Sequence, residues 1–159
     1  MSTSLNKLLS QGRVLQWSPD LGPRDMPMRR LFVTKAFEQW SINLPAKHSG
    51  HRRLVSPKAE LMNIATEFVA GKKIITFIRR VNPPAGEGII KMHTTSFRLF
   101  GWAPAPQALV LARGAWVDET HGSHNMTREI AKQVVRDRKG LGLKDWEKGE
   151  FYEIFRFEG

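Results

Sequence analysis

Three apolar runs follow one another between Ile89 and Val117 with almost no chain between them. Ile89–Thr94 and Phe97–Trp102 are separated only by Thr95 and Ser96, and Ala103–Gln107, with Pro104 and Pro106, is all that divides Trp102 from Ala108–Val117. Parallel neighbours need a crossover of about a dozen residues or more, so connections this short predict strands that meander back and forth. Helical signals flank the group. Arg30–Thr34 reads as a strand and Thr34 as an N-cap, with Phe37, Trp40 and Leu44 at helical spacing before Pro45. Ser56 and Pro57 open a second helix whose apolar face is Leu61, Ile64, Ala65 and Phe68, and Gly71 suits its left-handed end. Ile74–Val81 is rich in β-branched residues, and the turn-rich stretch 82–88 follows it. Thr127–Lys139 reads as a helix with Ile130 and Val134 inward, stopped by Gly140. Strands grouped in sequence between helices predict an α+β fold: an antiparallel sheet of about four strands packed against N-terminal helices, with a further C-terminal helix.

The chain of 159 residues suits one main domain. Residues 1–27, rich in Pro, Gly and Ser, read as a partly disordered leader with at most a short helix at Ser4–Ser10. Residues 28–140 form the expected domain. Residues 141–159 form a C-terminal extension, with a weak helical pattern near Trp146 and Phe151 and an alternation in Tyr152–Phe157 that equally suits an edge strand. Twenty-five Lys and Arg against fifteen Asp and Glu give a formal charge of +10, a field that attracts polyanions. Absence of cysteine excludes disulfides, thiolate metal sites and cysteine nucleophiles. No apolar run approaches the ~18 residues of a membrane span, and no secretory signal pattern opens the chain. A cytoplasmic protein that does not engage a membrane is the expectation.

Alternation along a strand projects Lys91 and His93 from one face, and Arg98 lies on the next strand across a short turn. If the two pair antiparallel, an ammonium, an imidazole and a guanidinium converge, an arrangement that is costly without an anion between them. Arg113 interrupts an apolar strand, either paired there or already emerging into solvent. Arg128, Lys132 and Arg136 form an exposed basic helix face, and Trp102, after Gly101, offers a base-stacking surface. His48/His51 and His121/His124 have the spacing of two metal ligands. Both pairs fall in expected loops without a carboxylate signature, so no metal site and no cofactor is expected. Gly86-Glu87-Gly88 lacks the setting and lysine of a phosphate-binding loop, and no serine lies in a nucleophile elbow.

Two stretches resemble the RelE/HigB-like toxins of bacterial type II toxin–antitoxin systems, including phage-derived relatives. Phe32-Val33-Thr34-Lys35-Ala36-Phe37-Glu38-Gln39-Trp40 is similar to the opening strand and helix of that family. Gly88–Trp102 is similar to its central pattern: a strand with basic residues two apart (Lys91, His93), a turn, then aromatic-Arg-hydrophobic-aromatic (Phe97-Arg98-Leu99-Phe100). Ala108–Gly114 fits the next strand, and the likeness spans roughly residues 28–140. It implies a RelE-like fold and a metal-independent endoribonuclease, an mRNA interferase acting at the ribosome. Lys91 and Arg98 would bind phosphate, His93 would transfer protons, and Arg113, Trp102 and the basic helix would contact RNA. It also implies a cognate antitoxin, acidic or of helix-turn-helix type. The chain departs from the family after Gly114, where Ala115-Trp116-Val117-Asp118-Glu119 replaces basic residues. The same fold includes gyrase inhibitors that are not nucleases, so a non-catalytic module binding gyrase, nucleic acid or another protein is the alternative.

Overall fold

The computed structural model describes residues 3–45, 55–73, 78–81, 86–117 and 124–156. In chain order the elements are α1 (Thr3–Ser10), β1 (Val14–Trp17), β2 (Arg30–Thr34), α2 (Lys35–Ile42), α3 (Pro57–Val69), β3 (Ile78–Arg80), β4 (Ile90–His93), β5 (Phe97–Trp102), β6 (Ala108–Trp116), α4 (His124–Gly140) and α5 (Phe151–Ile154). The class is α+β. The local signals act as their chemistry dictates: the hydroxyls of Thr34 and Ser56 accept from the amides of Phe37 and Ala59, and Gly71 closes α3 with a φ of +79°.

The sheet differs from the expected one. It has six strands in the order β1-β2-β6-β5-β4-β3, and it is mixed. The meander β3 to β6 is antiparallel throughout, but β2 runs parallel to β6. Connection lengths dictate only the meander. The first core strand finds the last one after α2, α3 and three strands have intervened, a pairing no local signal reports. The expected leader supplies α1 and the edge strand β1, which pairs with β2. Leu5, Leu8 and Val14 are buried there, and Gly12 makes the turn between the two elements at φ +68°.

Helices cover both faces. Beneath α2 and α3, Leu31, Val33, Ile90, Met92, Leu99 and Leu111 meet Phe37, Leu61 and Phe68. On the other face, Phe32, Phe100, Trp102 and Val110 meet Leu5 of α1 and Ala131 and Val134 of α4. A β-bulge joins the two patterns. Leu111 faces Gly101 and Arg113 faces Phe100, which leaves Ala112 as the extra residue. Strict alternation from Leu109 and Leu111 would drive Arg113 under α2 and α3; the bulge turns it to the α4 face. Gly101 permits the close approach, since a Cβ there would lie 1.8 Å from the Val110 carbonyl oxygen.

The C-terminal extension is strapped down by arginines. Arg29, 2% exposed, donates to the carbonyls of Phe68 and Arg156, and burial lowers its pKa to about 10. Arg138, 1% exposed, bonds the carbonyl and carboxylate of Glu87 and stacks 4.1 Å over Trp146. Gln107, at φ +60°, donates its amide to Ile154 and accepts from the Arg156 amide. Of the two readings of the tail, the helical one holds for α5, and Ile154 and Phe155 are buried.

Candidate nucleic-acid interface

The hairpin β4–β5 brings the basic residues together. Ile90 and Met92 enter the core beneath α2 and α3, so Lys91 and His93 stand on the opposite face of β4. His93 lies directly across from Arg98, and Lys91 lies across from Arg79 of β3. Residues so opposed have Cβ atoms about 4.5–5.5 Å apart, close enough for like charges to destabilise the pair. Two such pairs sit side by side.

Their electrostatics record the crowding. Burial, then Arg98, Lys91 and Arg79, push the His93 imidazole down to about 4, so it is neutral at pH 7. Burial, then Arg98 and Arg79, lower the Lys91 ammonium, and burial lowers the Arg98 guanidinium. Among the described residues, none of Lys91, His93 and Arg98 forms a salt bridge with a carboxylate. The Nε2 atom of His93 is enclosed and has no hydrogen-bond partner there.

A rigid turn holds the pairs in register. Thr94 exchanges backbone and hydroxyl hydrogen bonds with Phe97, and Arg98 Nη1 donates to the Thr94 carbonyl at 2.6 Å. Glu60 of α3 reaches the turn from the other side of the sheet. One carboxylate oxygen accepts from the Ser96 amide at 2.8 Å and the other from its hydroxyl at 2.6 Å. The connection therefore needs no glycine, because a carboxylate satisfies the buried donors of Ser96.

The remaining expected contacts divide. Arg128, Lys132 and Arg136 are exposed on α4, which packs on the same face of the sheet over β5 and β6. Arg113 is on that face too, but its guanidinium makes a two-bond pair with Asp137 at 2.7 and 2.9 Å, which balances its charge. Trp102 is not a stacking surface. It is fully buried among the side chains facing α4, because its position two residues beyond Phe100 puts it in the same apolar layer. His48, His51 and His121 lie outside the described residues, as does the side chain of His124. Among the described residues, no group of three or more His, Asp or Glu is arranged to hold a metal ion, and no helix is long and apolar enough to cross a membrane.

Sequence reasoning missed Arg79 and Glu60. The sequence marks Ile74–Val81 as a strand, of which Ile78–Arg80 is β3 and residues 74–77 lie outside the described residues, but the register that sets Arg79 opposite Lys91 is not a local property. Glu60 belongs to another element altogether. A half-open, mostly apolar cleft of about 270 Å³, lined by Leu15, Val33, Ile42 and Leu61 among others, lies on the α2–α3 side and holds none of the four cluster residues. Lys91, His93 and Arg98 are half-buried on the sheet face that α4 covers over β5 and β6. Comparison with protein-family models, curated proteins and solved structures finds no match to this chain.

Proposed function

We propose that the chain is a RelE/HigB-like toxin of a type II toxin–antitoxin system: a cytoplasmic, metal-independent endoribonuclease that cleaves mRNA at the ribosome. The observation that carries this reading is the juxtaposition of Lys91, His93 and Arg98 on one face of β4 and β5, none of which forms a salt bridge with a carboxylate among the described residues. Such a surface is relieved by a phosphate. Lys91 and Arg98 would hold the phosphoryl oxygens and offset the charge that grows on them as the 2′-oxygen attacks phosphorus. Neutral His93 would take the 2′-hydroxyl proton; the bond to the 5′-oxygen breaks, and that oxygen leaves with a proton from water. The exposed cations of α4 would follow the RNA or ribosome backbone. An acidic or helix-turn-helix antitoxin would neutralise the toxin by covering this face.

Inducible expression, with mapping of new transcript 5′ ends, tests the reading. Wild type should arrest growth and create new ends. Arg98→Ala should lower cleavage by about a hundredfold or more, the scale of losing one charge-stabilising donor. Full activity in that variant would reject the assignment.

One feature favours the alternative of a non-catalytic binding module. The residue of β6 opposite Arg98 is Ala115, and the only β6 cation, Arg113, is committed to Asp137, so β6 adds no unbalanced charge to the cluster. That reading predicts salt-sensitive binding to nucleic acid or gyrase without strand cleavage.

A further inference from the structure

We infer that an open cleft between α2, α4 and the turn before β1 is a second binding site, which holds one nucleotide of a single strand away from the phosphate site at Lys91 and Arg98. The inference rests on the nucleic-acid reading above and adds a second point of contact to it. The cleft, about 520 Å³ and within the size range of ligand sites, is lined by Arg13, Lys35, Ala36, Arg136, Asp137 and Leu141 among others. Ala36 and Leu141 give it an apolar wall, and Arg13, Lys35 and Arg136 are exposed. Its acid is already engaged: both carboxylate oxygens of Asp137 accept from Arg113, at 2.7 and 2.9 Å. Among the described residues, none of the three cations forms a salt bridge. Cationic donors beside an apolar wall fit a ligand with a flat apolar body and an anionic group, which is the chemistry of a nucleoside phosphate.

Local structure accounts for only part of this arrangement. Lys35 is the first residue of α2, the end of a helix at which the backbone dipole favours an anion and disfavours a cation. Arg13 donates from Nη2 to the Gly140 carbonyl at 3.0 Å, which seats it against the C-terminal end of α4 and leaves most of its five N–H donors for a ligand. Arg136 closes a row with Arg128 and Lys132, each four residues from the next along the exposed side of α4, at steps of about 6 Å. Glu129 offsets Lys132 at 3.4 Å; Arg128 and Arg136 form no salt bridge among the described residues. A strand that follows this row reaches the cleft at its last member. That continuity makes the ligand a unit of a strand and not a free mononucleotide.

NMR titration of the full chain tests this site by site: the backbone amides of Lys35, Ala36 and Leu141 report the cleft, and those of Lys91 and Arg98 report the phosphate site. The probes are inorganic phosphate, thymidine 5′-monophosphate and an uncleavable 2′-deoxy octanucleotide. At the cleft the monophosphate should bind about tenfold more tightly than inorganic phosphate, through burial of its apolar body. Lys35→Gln and Arg136→Gln should each weaken it there by about tenfold, the scale of one charged hydrogen bond, and leave its affinity at Lys91 and Arg98 unchanged. The octanucleotide should move both sets of amides at one midpoint, below that of the monophosphate. Equal affinity of the cleft for inorganic phosphate and the monophosphate would reduce it to a plain anion site and overturn the inference. A cleft that answers the monophosphate but not the octanucleotide would make a free nucleotide the ligand and overturn it too. If the octanucleotide moves only the Lys91 and Arg98 amides, the cleft inference falls while the phosphate site stands. If it moves neither set, the nucleic-acid reading itself fails.

Discussion

His93 is kept neutral at pH 7 by its burial and by three neighbouring cations, and this has a consequence for stability. In the unfolded chain an imidazole titrates near its reference value of about 6.5. In the folded protein it titrates at about 4. Between those values the unfolded state binds a proton that the folded state refuses, so stability is fully present above about pH 6.5 and falls as the pH drops towards 4. Urea unfolding at pH 7 and pH 4.5 should show a larger loss for wild type than for His93→Gln. Parallel losses would mean the ring does not feel the cluster. At this scale the sequence was informative for Lys91, His93 and Arg98, because one tight turn fixes their register. It was misleading for Trp102, since an aromatic residue at a strand end says nothing about which helix covers it.

Among the elements, the β4–β5 turn matters most. Its geometry depends on α3, through the two hydrogen bonds from Ser96 to Glu60. Ser96 is buried, so Glu60→Ala strands an amide and a hydroxyl without partners and should cost about 2–3 kcal/mol of stability. The same change should loosen the carbonyl of Thr94 that receives Arg98, and weaken oligonucleotide binding even at temperatures where the variant is fully folded. Unchanged affinity in the folded variant would show that the turn holds its shape without the clamp. Helix caps at Thr34 and Ser56 were legible because a cap is a contact between residues three apart. The bulge at Ala112 was not legible: it depends on Gly101 of the partner strand, and alternation alone would have sent Arg113 into the wrong core.

At the scale of the whole molecule, the chain was readable as α+β with a further C-terminal helix, because strand grouping and short connections are local facts. The parallel pairing of β2 with β6, the recruitment of α1 and β1, and the buried arginines Arg29 and Arg138 were not. Each depends on contacts between segments far apart in sequence. The arginines are instructive: a strongly basic composition reads as a solvated surface, yet Arg29, Arg80 and Arg138 donate into carbonyls and hold the C-terminal extension. The proposed functional charge is the smaller set Lys91 and Arg98 on β4 and β5, which form no salt bridge with a carboxylate among the described residues. Its affinity for a phosphate strand is most directly read from the His93 imidazole itself, by NMR titration of the full chain with and without a saturating 2′-deoxy trinucleotide. Bound phosphate offsets the neighbouring cations, so His93 should titrate at about 4 in the free protein and clearly higher in the complex. A pKa that stays fixed when the oligonucleotide is bound would contradict it.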